Sequence, residues 1–320
     1  MNFLQTAYKG KNDWWMYVIM FVIIAITSFL GQLPFTFLVL FKIGGDVAKL
    51  EESQKVLFTD LGIDSNLYLF LMLLGFIVPL FFFIIALKGI HKKRLTWVIT
   101  SRKKIDWKRI FYGVIVWGIV LVGSISIDLY LSPENYVWNF KPIPFLILCI
   151  VAITCIPLQT TLEEILFRGY YVQGLGLWIK NKWAPMFIMG AVFGLLHIFN
   201  PEIDKLGYGL LFFYIVSGWF FGLVTLLDEG TELAIGMHAI NNVTAALFVT
   251  ANWTVFQTDA LYVDTSEPTL GWEMFLPVFV LYPIVIFIFS KKYGWTNWKD
   301  KIFGEVHRPL DSDVIEEIGA

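Results

Sequence analysis

The chain has 320 residues, 57% of them hydrophobic and only 16% charged, against about 25% charged in soluble domains. A mean hydropathy of +0.68 leaves too little polar surface to face water on all sides, which excludes a soluble enzyme and a disordered chain. The net charge of −2 offers no basic field to a polyanion, so no nucleic-acid partner is expected, and membrane lipids are.

This composition specifies an all-α fold, a polytopic integral membrane protein with helices around a polar cavity. About 20 apolar residues cross a bilayer as a helix, and charge-free runs predict eight spans. The first covers residues 14–41, with a break expected near Gly31 and Pro34. The second and third cover 65–87 and 110–127. The fourth, 142–162, leads into a polar-spotted stretch that reaches Lys180. Residues 183–200, 206–227, 233–257 and 274–290 complete the set. Three regions follow: three spans and a basic loop over 1–141, a helical core over 142–257, and a last span with a polar tail over 258–320. Cys149 and Cys155 fall within one apolar run and read as small apolar fillers.

Orientation follows the cations. Residues 88–109 carry nine Lys and Arg against one acid, Asp106, whereas 258–273 carry four acids and no base. The positive-inside bias puts the first loop in the cytoplasm. An even number of spans then puts both termini there.

Ionisable side chains at membrane depth cost about 2.5–3.5 kcal/mol each and are functional candidates by default. They cluster in TLEEILFRGYY (Glu163, Glu164, Arg168), in FGLLHIFNP (His197) and in GMHAINNVTAAL (His238, with Asn242). At about 100° per residue, Arg168 lies about 40° from Glu164 and about 140° from Glu163. Glu164 and Arg168 are therefore an ion pair, and Glu163 projects elsewhere, unpaired. With a turn at Lys180–Lys182, Glu163 and His197 fall at similar heights on a helical hairpin and are expected to meet. Phe193, one turn before His197, is a candidate wall of the same pocket. His238 and Asn242, four apart, can face a common cavity. Gly190 with Gly194, and Gly218 with Gly222, suit close helix packing. His91 and His307 sit in polar loops and suggest no special role.

One carboxylate and two imidazoles can activate water in two ways. Glu163, His197 and His238 could bind Zn²⁺ with a position left open for water. Alternatively Glu163 could act as general base while His197 orients the water. In either, His238 and Asn242 could donate hydrogen bonds to an oxyanion. No HExxH, GxSxG or GxGD occurs to suggest another protease chemistry. Two other functions use the same residues: a non-catalytic membrane scaffold or immunity factor, and a proton-coupled transporter with Glu163 and His197 as relay. The lack of an internal repeat weighs against the transporter.

The three motifs E-E-x-x-x-R, F-x-x-x-H and H-x-x-x-N, in that order over roughly 142–257, resemble the CAAX protease and bacteriocin-processing family (CPBP, or Abi), which includes the type II CAAX prenyl endopeptidases. The resemblance implies eight spans around a cavity open to the cytoplasm, in a bacterial plasma membrane. It implies a hydrolase in which Glu163 and His197 activate water while His238 and Asn242 stabilise the oxyanion, with Glu164, Arg168 and Phe193 in support. It also implies a peptide or lipidated-protein substrate, CAAX-type prenylated or bacteriocin-like. The family is commonly labelled metalloprotease; if a metal is used, Glu163, His197 and His238 are its expected ligands.

Overall fold

The computed structural model describes residues 1–271 and 275–319. Its principal helices are α1 (Trp14–Ile43), α2 (Ser65–Gly89), α3 (Trp107–Leu131), α4 (Pro142–Glu164), α5 (Trp183–Leu196), α6 (Gly209–Asp228), α7 (Glu232–Leu247) and α8 (Tyr282–Tyr293). Helix α4 does not stop at Glu164. It passes through a π-helical turn, Ile165–Tyr170, into Tyr171–Ile179, forming one rod of 38 residues. Among the described residues, α1, α2, α3, this rod and α6 are long and apolar enough to cross a bilayer. The protein is thus a helical membrane protein, with five of the expected spans having that length; α5, α7 and α8 are shorter.

Two sequence expectations change. Helix α1 runs unbroken through Gly31 and Pro34. Gly31 instead marks where α1 touches α2, since a Cβ there would fall 2.3 Å from the Leu74 carbonyl oxygen. The next residue, Gln32, donates its side-chain N–H to the Met72 carbonyl at 2.8 Å. The apolar run 233–257 is helical only to Leu247. Val249–Thr250 (β2) then pairs in parallel with Tyr262–Asp264 (β3), which pairs antiparallel with Tyr136–Trp138 (β1). Threonine hydroxyls capture the backbone here: Thr258 donates to the Ala246 carbonyl at 2.6 Å, and Thr250 to that of Phe256 at 2.9 Å. Apolarity alone does not separate a helix from a buried extended segment. Met274, where the last span was expected to begin, lies outside the described residues.

The small sheet marks one end of the bundle, together with the Lys141–Asp259 ion pair. The opposite end is tied by buried ions. Arg102 bridges Asp228 at 3.0 Å and Glu232 at 3.1 Å, and Arg109 pairs with Asp228. The Phe3 N–H donates to Glu229 at 2.6 Å, the Gln5 side chain to the His307 carbonyl at 2.9 Å, and the Trp295 indole to Asp228 at 3.0 Å. The N-terminal segment, the basic loop and the C-terminal tail therefore share this end.

Helices α5 and α6 cross at their glycines: a Cβ on Gly218 would lie 2.4 Å from the Gly190 carbonyl oxygen. Gly218→Val is expected to cost about 1–3 kcal/mol through overpacking, read as a lower melting temperature of the detergent-solubilised protein.

His91 departs from its reading as a loop residue without a role. It is fully buried, at 0% exposure. A carbonyl only accepts, so Nδ1 donates to Lys11 O at 2.8 Å, and Nε2 accepts from the Tyr170 hydroxyl at 2.6 Å. Burial pushes the imidazole down to about 4, the Lys11 carbonyl opposing and the Lys93 charge assisting. The unfolded chain, with its His near 6.5, then binds more protons between those values, so stability falls as pH drops from 6.5 to about 4. The melting temperature should fall across that window in the wild type and fall less in His91→Gln.

Candidate active site

Helix α4 runs from the sheet end toward the basic end, and α7 runs the other way. Each places polar residues four apart on the face it turns to the other: Gln159 and Glu163 on α4, His238 and Asn242 on α7. The antiparallel arrangement sets Glu163 opposite His238 and Gln159 opposite Asn242. His238 Nε2 lies 3.5 Å from Glu163 Oε2, and Asn242 Nδ2 donates to Gln159 Oε1 at 3.3 Å. Gln159 lies one turn before Glu163 on the same helix face, beside its carboxylate. Glu163, expected to be unpaired, thus has His238 across from it and Gln159 beside it.

Glu164 and Arg168 form the ion pair their spacing suggested, at 2.9 Å, with side chains 0% and 2% exposed. The same Glu164 Oε1 faces His238 Nδ1 at 2.7 Å. His238 therefore has a carboxylate at each ring nitrogen. The Arg168 guanidinium lies over the Phe193 ring at 3.9 Å and the Phe221 ring at 5.4 Å. Among the described residues, Arg168 Nε and Nη2 and Glu164 Oε2 are buried without hydrogen-bond partners. Such groups, and the rare π turn beginning just after Glu164, tend to occur at functional sites, where stability is given up for geometry.

Phe193 sits at the centre of the constellation. Its ring centroid is 4.8 Å from His197, 6.0 Å from His238 and 5.6 Å from Phe167. Phe221 of α6 stacks on His238 at 5.5 Å with an interplanar angle of 18°. His197 closes α5 in a short 3-10 turn, His197–Phe199. Its Nδ1 donates to the Phe193 carbonyl at 2.9 Å, which fixes the neutral tautomer and leaves the Nε2 lone pair free to accept a proton. Its ring lies flat on Tyr214, 4.3 Å away at 21°.

The expected meeting of Glu163 with His197 does not occur directly. Among the described residues no hydrogen bond or ion pair joins them, because the turn at the end of α5 draws His197 toward Phe193 O and Tyr214. The carboxylate meets His238 instead. This also bears on the expected metal ligands Glu163, His197 and His238. Among the described residues no three His, Cys, Asp or Glu side chains are grouped to hold a metal ion. His238 has both nitrogens turned to carboxylates and His197 is committed at Nδ1. The donors as placed do not fit Zn²⁺.

Several residues at the site escaped the sequence reading. Gln159, four before Glu163, was visible as a polar residue on the carboxylate's own face. Asn241, which accepts from the Trp117 indole at 3.2 Å, stood beside Asn242. Trp117, Phe167, Phe221 and Tyr214 gave no signal, being aromatic residues among many in apolar runs. A separate cavity of about 340 Å³ at the sheet end, lined by Tyr68, Thr250, Asn252, Gln257 and Thr258 among others, contains none of the site residues.

Residues 138–244, which carry every candidate residue above from Gln159 to Asn242, match the family described as type II CAAX prenyl endopeptidase Rce1-like. The chain is also 27% identical over 281 residues to YyaK of Bacillus subtilis (strain 168), described as an uncharacterized protein, with 88% of this chain and 93% of YyaK covered. No solved structure matches the chain. Within the Rce1-like segment, the described polar residues converge where α4, α5, α6 and α7 pack together.

Proposed function

We propose that this protein is a membrane endopeptidase that hydrolyses a peptide bond near the C-terminus of a lipidated, CAAX-type substrate, with Glu163 as general base. The observation that carries the reading is the pair of facing contacts between α4 and α7, which join Glu163, His238, Gln159 and Asn242. In this mechanism Glu163 takes a proton from water as the water oxygen attacks the scissile carbonyl carbon. The Nε2 lone pair of His197 orients that water. The second N–H of Asn242 donates to the developing oxyanion. As the tetrahedral intermediate collapses, the C–N bond breaks and Glu163 returns the proton to the leaving amine. His238, braced on Glu164 at 2.7 Å, keeps the Glu163 carboxylate oriented. The basic end of the bundle faces the cytoplasm in this reading, so both termini lie on that side.

The test is cleavage of a farnesylated CAAX peptide by purified protein in detergent, followed by mass spectrometry. Cleavage is expected in the wild type, with and without a chelator, and not in Glu163→Ala. Equal turnover in Glu163→Ala would end the role given to this carboxylate. His197→Ala is expected to lower kcat by about 10²-fold, the scale of a mispositioned reactant, measured on the same peptide.

A further inference from the structure

Trp117 belongs to α3, outside the matched segment, yet hydrogen bonds lead from it to Gln159, one turn from Glu163. Its indole N–H donates to Asn241 Oδ1 at 3.2 Å. Asn241 Nδ2 donates to Asn242 Oδ1 at 3.2 Å, and Asn242 Nδ2 to Gln159 Oε1 at 3.3 Å. Gln159 stands one turn before Glu163 on the same face of α4, beside its carboxylate. Trp117 is 5% exposed and Gln159 6%.

The direction of this chain is dictated from both ends. An indole N–H can only donate, so the Asn241 atom facing Trp117 must be oxygen. That turns the Asn241 amide nitrogen toward Asn242, whose oxygen must accept, and so on to Gln159. At the far end the Gln159 oxygen is taken by Asn242, so nitrogen is what Gln159 has left to offer the neighbouring Glu163 carboxylate, an acceptor when ionised. A side-chain amide has near-equal space for either flip, and only its partners choose between them. The geometry that lets Trp117 reach Asn241 is set one turn away. A Cβ on Gly236 would lie 2.0 Å from Ile110 O, and one on Gly113 2.6 Å from Leu233 O, so α3 and α7 touch backbone to backbone.

We propose that Trp117, Asn241 and Gln159 form a directional amide relay that positions the site. Trp117 sets the flip of Asn241 and, through it, of Asn242 and Gln159. Asn242 then turns N–H rather than carbonyl toward the cavity, and Gln159 gives Glu163 a donor. Without the indole N–H the three amides are free to reverse together, which would set a carbonyl oxygen against the carboxylate. The roles of Asn242 and Glu163 rest on the peptidase reading; the relay itself does not.

The experiment labels full-length purified protein with dicyclohexylcarbodiimide, which reacts with the protonated carboxyl, and measures the rate at Glu163 by peptide mass mapping across pH. At alkaline pH, Gln159→Leu should label about tenfold faster than wild type and Trp117→Phe about threefold faster, in line with the loss of one donor and of one directing bond. In acid, where the carboxyl is protonated in every variant, the rates should converge. Asn241→Leu removes both the acceptor for Trp117 and the donor to Asn242 without adding a charge, and should match Trp117→Phe. Wild-type labelling in all three variants would overturn the relay, and so would faster labelling at every pH, which reports only loosened packing. On the farnesylated peptide, Trp117→Phe should lower kcat about threefold with KM unchanged. A wild type that labels as described but cleaves no peptide would count against the peptidase reading and leave the relay standing.

Discussion

Glu163→Gln is expected to abolish turnover, by about 10²–10⁴-fold for loss of a general base, while the protein still folds. The substitution keeps the shape and an acceptor oxygen toward His238 Nε2, 3.5 Å away. The Glu163 side chain is 16% exposed and, among the described residues, no Lys or Arg forms an ion pair with it, so neutralising it strands no paired cation. Activity on the farnesylated peptide and thermal unfolding should therefore separate: kcat lost, melting temperature nearly kept. A parallel loss of both would show that the residue is chiefly structural.

The neighbouring Glu164→Gln should behave in the opposite sense. Glu164 is 0% exposed, and its Oε1 alone meets both Arg168 at 2.9 Å and His238 at 2.7 Å. Removing its charge leaves the Arg168 guanidinium, 2% exposed, against two phenyl rings with no counter-ion. Breaking a buried pair by deleting one partner costs about 3–5 kcal/mol, a large share of the about 5–15 kcal/mol that holds a protein folded. Yield and melting temperature should drop sharply. The double variant Glu164→Gln with Arg168→Met should recover much of that stability, because no unpaired charge is then left buried. Two adjacent glutamates are thus distinguished by where their helix points them, one toward chemistry and the other toward cohesion.

Much of this was legible in the sequence because charge is so scarce. The i,i+4 spacing identified the Glu164–Arg168 pair, and His238 with Asn242 did share a face. What spacing could not supply was the register between helices. Glu163 and His197 have matching heights by counting, yet the 3-10 turn at His197–Phe199 swings the imidazole onto Tyr214. His238, whose height could not be counted from any short turn, became the carboxylate's partner. Gln159 was missed because an amide carries no charge to stand out in an apolar run, although its position four residues before Glu163 was as informative as that of Arg168. The end of α7 at Leu247 was hidden for another reason: threonine hydroxyls took over backbone partners that hydropathy does not see.

The π turn at Ile165–Tyr170 makes the α4 rod behave like two gears keyed out of phase on one shaft. Above it, Gln159, Glu163 and Glu164 mesh with α7. At its last residue, Tyr170 engages His91, and below it Gln173 binds the carbonyls of Phe3, in the N-terminal segment, and of Trp97. Deleting one residue within the turn would rotate the lower half by about 100° against the upper. Either the contacts to the N-terminal segment or the face that carries Glu163 would then have to disengage. A change of length there is thus a different class of event from a change of residue, and natural variants of this segment should differ in letters but keep their count.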